Sequence, residues 1–96
     1  MSTEIVVQFA QLHSAATDCR TTANTMTSQL DGLKQQIAPM VATWEGDAQA
    51  AYGARQAEWD AAAADLRDLL ARIANACDAS ADIMMAREQA NANKFA

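Results

Sequence analysis

The chain has 96 residues, a formal net charge of −5 at pH 7, a hydrophobic fraction of 51% carried largely by alanine, and only 5% aromatics. That length fits one domain, 1–96, and the Ala-rich, Gly- and Pro-poor composition favours helix throughout. The basic residues Arg20, Lys34, Arg55, Arg67, Arg72, Arg87 and Lys94 are scattered, which excludes the clustered charge that nucleic acid or anionic lipid requires.

The chain opens on Met1-Ser2-Thr3-Glu4 with no basic stretch and a short apolar run, Ile5-Val6-Val7. No Sec-type signal is therefore expected, and no window approaches the roughly 20 apolar residues of a membrane span. A first helix is expected over about 8–42. Ile5, Phe9, Leu12, Ala16, Cys19, Ala23, Met26, Leu30, Leu33, Ile37, Met40 and Trp44 follow one another in alternating steps of four and three. That rhythm is the seam of a helix packing in coiled-coil fashion at a shallow angle. Pro39 belongs late in this helix, where it kinks or ends the last turns.

A turn is expected at 43–47. Gly46 can take a positive φ, and Asp47 is a good N-cap for a helix opening at Ala48. The second helix, about 48–86, carries a seam through Tyr52, Arg55, Trp59, Ala62, Leu66, Leu69, Ile73, Ala76, Ser80 and Ile83. A second stripe, Ala63, Leu70, Cys77 and Met84, repeats every seven residues beside it and widens the apolar face. Beyond Arg87 the seam is lost, and residues 87–96 are expected to form a flexible tail. The expected fold is all-α, an antiparallel helix-turn-helix hairpin. So thin a hairpin cannot enclose a core alone, and a face wide enough for two neighbours calls for a second hairpin, making a four-helix bundle.

Trp44-Glu45-Gly46 stands mid-chain between two amphipathic helices, with Tyr52 and Trp59-Asp60 after it and Leu30-Asp31 before it. Met84-Met85-Ala86-Arg87 and Lys94-Phe95-Ala96 complete the pattern. This resembles, over nearly the whole chain, the WXG family of hundred-residue proteins in its early-secreted-antigen (ESAT-like) branch. The resemblance implies export as a folded helical dimer by an ATP-driven type VII secretion system. In that branch the two hairpins are usually different proteins. Export is steered by a Tyr-x-x-x-Asp/Glu motif after the second helix of one partner, together with the Trp-x-Gly turn of the other. Here the only tyrosine, Tyr52, opens helix 2 and is followed four residues on by Gln56. The resemblance therefore implies that the partner carries the export signal and that Trp44 and Gly46 supply the turn half. A heterodimer is favoured, and a homodimer is the alternative.

Positions expected to pack within the hairpin or the dimer are Phe9, Leu12, Met26, Leu30, Leu33, Ile37, Tyr52, Trp59, Leu66, Leu69, Leu70, Ile73, Ile83 and Met84. His13 is the sole histidine, expected beside the seam and partly exposed. A zinc site needs three or four ligands, so no metal and no cofactor is expected. Cys19 and Cys77 are expected to be free thiols. If opposite residues of the hairpin have numbers summing to about 90, these two lie ~9 Å apart along the axis at 1.5 Å per residue, beyond bridging reach. An intermolecular bridge stays open. Glu58, Asp60, Asp65 and Asp68 read as a solvated charged face of helix 2 rather than an acid–base pair. With no nucleophile triad, phosphate loop or Cys-x-x-Cys, an enzyme is not expected.

The resulting expectation is a secreted interaction or virulence-type factor, cytoplasmic before export and extracellular after it. One alternative is a membrane-active effector acting after dimer dissociation at low pH. The other is a cytosolic helical adaptor or chaperone for a larger secreted substrate.

Overall fold

A computed structural model describes residues 3–94. It contains two α-helices, α1 (Thr3–Val41) and α2 (Gly46–Lys94), with no strand among the described residues. The fold class is the expected one, an all-α antiparallel helix-turn-helix hairpin. Glu4 and Asp47 lie in the first turns of the helices and Lys94 in the last turn of α2, each on the side that the helix dipole favours.

The boundaries differ from those expected. Helix α1 opens before residue 8, and α2 opens at Gly46, so Asp47 falls inside the first turn rather than capping it. Helix α2 also runs through the stretch expected as a loose tail, as far as Lys94. Losing the apolar seam does not end a helix whose residues (Arg87, Glu88, Gln89, Ala90, Ala92) are mostly strong helix formers. Met1, Ser2, Phe95 and Ala96 lie outside the described residues.

The chain divides into two compact units. The turn unit, Thr22–Leu69, pairs the second half of α1 with the first half of α2. Its half-buried positions on α1 are Ala23, Met26, Thr27, Leu30, Lys34, Ile37 and Val41. Those on α2 are Tyr52, Gln56, Asp60, Ala63 and Arg67. The end unit, Met1–Thr21 with Leu70–Ala96, sets the start of α1 against the rest of α2. Phe9, Ala16, Ala74 and Ala81 are buried there, with Ile5, Leu12, His13, Cys19, Leu70, Cys77, Asp78, Met85 and Glu88 half-buried around them.

The α1 seam is thus the one legible in the sequence, except that Leu33, Met40 and Trp44 stay exposed. The α2 seam is not. Every seam position expected after Tyr52, from Arg55 through Ile83, is exposed, and the residue following each of Arg55, Trp59, Ala62, Leu66, Leu69, Ile73, Ala76 and Ser80 is the covered one. The physical reason is size. The covered face of α2 is mostly alanine, cysteine and slender polar side chains, with Tyr52, Leu70 and Met85 its larger members, and small groups there admit the bulkier side chains of α1.

Candidate functional site

The turn is built from the end of α1. Pro39 lies inside that helix, two residues before it closes. The last carbonyls are then taken up locally. Ala42 N–H donates to Ala38 O at 3.0 Å, Thr43 N–H to Met40 O at 3.1 Å, and Trp44 N–H to Val41 O at 3.0 Å. Thr43 Oγ1 adds a second bond to Met40 O at 2.7 Å, and Gln49 Nε2 reaches back to Val41 O at 3.3 Å. Gly46 then takes φ +54°, a left-handed conformation that costs an ordinary L-residue about 1–2 kcal/mol.

Trp44 emerges from this turn and meets Tyr52 edge to face, with centroids 5.7 Å apart and an interplanar angle of 85°. Tyr52 meets Trp59 in the same way at 6.3 Å and 87°. The three rings form a ladder that leaves Trp44 36% and Trp59 48% exposed. The Tyr52 hydroxyl donates to Gln56 Oε1 at 2.7 Å, and Gln56 Nε2 donates to Asp60 Oδ1 at 3.1 Å. Lys34 Nζ closes the chain on Asp60 Oδ1 at 2.6 Å. The bond from Lys34, helped by that from Gln56, holds the Asp60 carboxyl below its ordinary 3.8 against the opposing effect of desolvation. Asp60 therefore belongs to the inter-helix contact rather than to the solvated face expected of it. Arg67 supplies the next link of the turn unit, donating to Thr27 Oγ1 at 3.1 Å.

The end unit has its own polar group. His13 Nδ1 lies 2.7 Å from Asp78 Oδ1, and Nε2 lies 3.7 Å from Asp82 Oδ1. Arg20 Nη2 donates to Asp78 Oδ2 at 2.7 Å and to Asn75 Oδ1 at 3.1 Å. The bond from His13 first, and that from Arg20 second, hold the Asp78 carboxyl below its ordinary 3.8. Sequence reasoning missed these linkers, although a signal existed. His13, Arg20, Thr27 and Lys34 recur every seven residues, each one position after a seam residue. That is the flanking position of a heptad, where polar groups fix register and orientation.

Of the packing positions expected from the sequence, Phe9 is buried, and Leu12, Met26, Leu30, Ile37, Tyr52 and Leu70 are half-buried. Leu33, Trp59, Leu66, Leu69, Ile73, Ile83 and Met84 are exposed, at 38–52% of their surface. On α2, Trp59, Leu66, Leu69, Ile73 and Ile83 keep one heptad spacing in sequence. The described residues contain no group of three or more His, Cys, Asp or Glu side chains able to hold a metal ion, and no described helix is long and apolar enough to cross a membrane.

A helical hairpin with a Trp-x-Gly turn and a heptad row of uncovered apolar side chains defines a class of small α-helical proteins. The chain belongs to the WXG100 family, proteins of 100 residues with WXG, whose family model matches residues 4–89. It is 40% identical over 67 residues to the ESAT-6-like protein EsxA of Corynebacterium diphtheriae, covering 70% of each chain. Against the ESAT-6-like protein EsxA of Thermomonospora curvata it is 33% identical over 96 residues, covering 100% of this chain and 99% of the relative. The ESAT-6-like protein EsxT of Mycobacterium tuberculosis is 37% identical over 70 residues, 73% of this chain and 70% of that one. No solved structure gives a significant match.

Proposed function

We propose that this single-domain chain is one half of a helical dimer exported by a type VII secretion system, acting outside the cell as a non-enzymatic interaction factor. The partner is a second WXG-type hairpin, different from this one, and the two form a four-helix bundle. The observation that carries the reading is the heptad row on α2, Trp59, Leu66, Leu69, Ile73 and Ile83, which the chain's own first helix leaves between 42% and 52% exposed. Covering the remaining surface of each such side chain is worth roughly 1 kcal/mol. A row of this kind at coiled-coil spacing suits another helix pair better than a small ligand.

Trp44 and Gly46 are the export half of the turn in this reading. Gly46 sets the backbone, and the ladder through Tyr52 and Trp59 holds the half-exposed indole of Trp44 where secretion machinery can reach it. In this reading the partner contributes the tyrosine-based signal.

Light scattering with far-UV circular dichroism on the purified chain alone tests the pairing. A monomer supports a heterodimer, whereas a strongly helical species of twice the chain mass overturns it in favour of a homodimer. Export is read separately, as loss of the chain from culture filtrate when the secretion ATPase is deleted. Unchanged filtrate levels would overturn the export reading.

A further inference from the structure

In the end unit, Cys19 and Cys77 are free thiols, both half-buried. A hairpin register whose opposite numbers sum to 90 would hold them far apart, but the observed contacts set a different register. His13 reaches Asp78 and Asp82, and Arg20 reaches Asn75 and Asp78. These four pairs centre on a sum of about 95, which leaves Cys19 and Cys77 offset along the axis by only ~1.5 Å, the rise of a single residue.

Both side chains also point into the contact. Cys19 is half-buried while its neighbours Asp18 and Arg20 are exposed. Ala16, one turn before it, is 0% exposed, as are Ala74 and Ala81, one turn either side of Cys77. Alanine at all three positions lets two helix backbones approach at the short end of the usual 8–10 Å range, and a disulfide asks for Cα atoms within about 7 Å. The adjoining Arg20–Asp78 contact, 2.7 Å long, ties the residues that directly follow the two cysteines.

We propose that Cys19 and Cys77 form an intramolecular disulfide that staples α1 to α2 within the end unit under oxidising conditions. A low-molecular-weight disulfide is the oxidant. The thiolate of one cysteine attacks it and forms a mixed disulfide, releasing one small thiol. The second cysteine then attacks the protein sulfur of that mixed disulfide and releases the other small thiol. Both S–H bonds are broken and one Sγ–Sγ bond forms. The two electrons and two protons leave with the reduced oxidant. The bridge would close a long loop of chain, the case in which a disulfide restricts the unfolded state most.

The test is oxidation of the full-length wild-type chain with oxidised glutathione, read by intact-mass spectrometry and a non-reducing gel. The expected product is lighter by two hydrogens and runs as a monomer. It should form at least ~10-fold faster in native buffer than in urea, with a melting temperature raised by roughly 10 °C or more. The single variants Cys19→Ser and Cys77→Ser should give the glutathione adduct and no such rise. Wild-type chain that ends with glutathione on both thiols, or as disulfide-linked pairs of chains, would overturn the proposal. So would a bridge that forms no faster in native buffer than in urea.

Discussion

The two units of this hairpin are held by different means. In the end unit, Phe9, Ala16, Ala74 and Ala81 lie almost wholly out of water, at 0–3% exposure. No residue of the turn unit is buried to that degree. The turn unit is joined instead by linked polar contacts, Lys34–Asp60–Gln56–Tyr52 and Arg67–Thr27, and by the edge-to-face ladder of Trp44, Tyr52 and Trp59. Three of the four buried side chains in the end unit are alanines, so close backbone approach, rather than bulk, excludes the solvent there. The contrast teaches where large side chains are spent. Apart from Phe9, no larger apolar residue is fully buried by the hairpin itself, and most of those on α2, Trp59, Leu66, Leu69, Ile73, Ile83 and Met84 among them, stay exposed.

The largest expected effect comes from removing the one bulky buried side chain. Phe9→Ala should cost about 3–5 kcal/mol in chemical denaturation of the assembled protein. Trp59→Ala should cost less, about 1 kcal/mol for its ring contact with Tyr52 and about 1 kcal/mol more for the surface that a partner covers. Equal losses at the two positions would erase the difference between the units. Next comes Ala74→Leu, which forces extra volume into the close contact and should cost about 1–3 kcal/mol. Ala61→Leu, at an exposed position off both the covered face and the heptad row, should stay within about 0.5 kcal/mol.

Gly46→Ala should cost about 1–2 kcal/mol, because φ +54° strains any residue with a Cβ even where open space surrounds it. Hydrogen exchange should place that loss in the turn unit, with amides of the end unit little changed.

The smallest effect is on acid stability. Asp60 and Asp78 both have folded-state values below their ordinary 3.8. The stability they contribute is fully present above that value and is lost as the pH falls through the lower folded value. Asp60→Asn and Asp78→Asn should each flatten the acid limb of a stability–pH curve while leaving its neutral limb parallel to wild type. An unchanged acid limb would mean that the polar links do not distinguish folded from unfolded chain.

The first helix was legible in the sequence because only one apolar stripe runs through it, and the half-buried residues of α1 follow that stripe through both units. The second helix was legible as a helix but not as a face. It carries two neighbouring stripes, and periodicity assigns neither to α1. The covered face combines Ala63, Leu70 and Cys77 of the second stripe with Ala74 and Ala81, which belong to neither, while Leu66, Ile73 and Ile83 of the first stay exposed. The register was misread for a related reason. Counting outward from the turn ignores the cross-links at Lys34–Asp60 and Thr27–Arg67, whose numbers each sum to 94. Those links were visible only as a heptad of unlike polar residues, His13, Arg20, Thr27 and Lys34, which no apolar pattern search selects. The Trp-x-Gly turn was legible outright, since Gly46 is where the backbone needs a positive φ.

The central claim is that the uncovered row on α2 is the seat of a partner hairpin. Native mass spectrometry of the tagged chain, isolated from its own host with and without the double substitution Leu66→Asp and Ile73→Asp, tests it most directly. The wild-type chain should appear as a one-to-one complex with a second helical chain of about a hundred residues. The double variant should emerge alone, its own hairpin still helical. A wild-type chain recovered as a monomer, or a double variant that keeps the partner, would contradict the account.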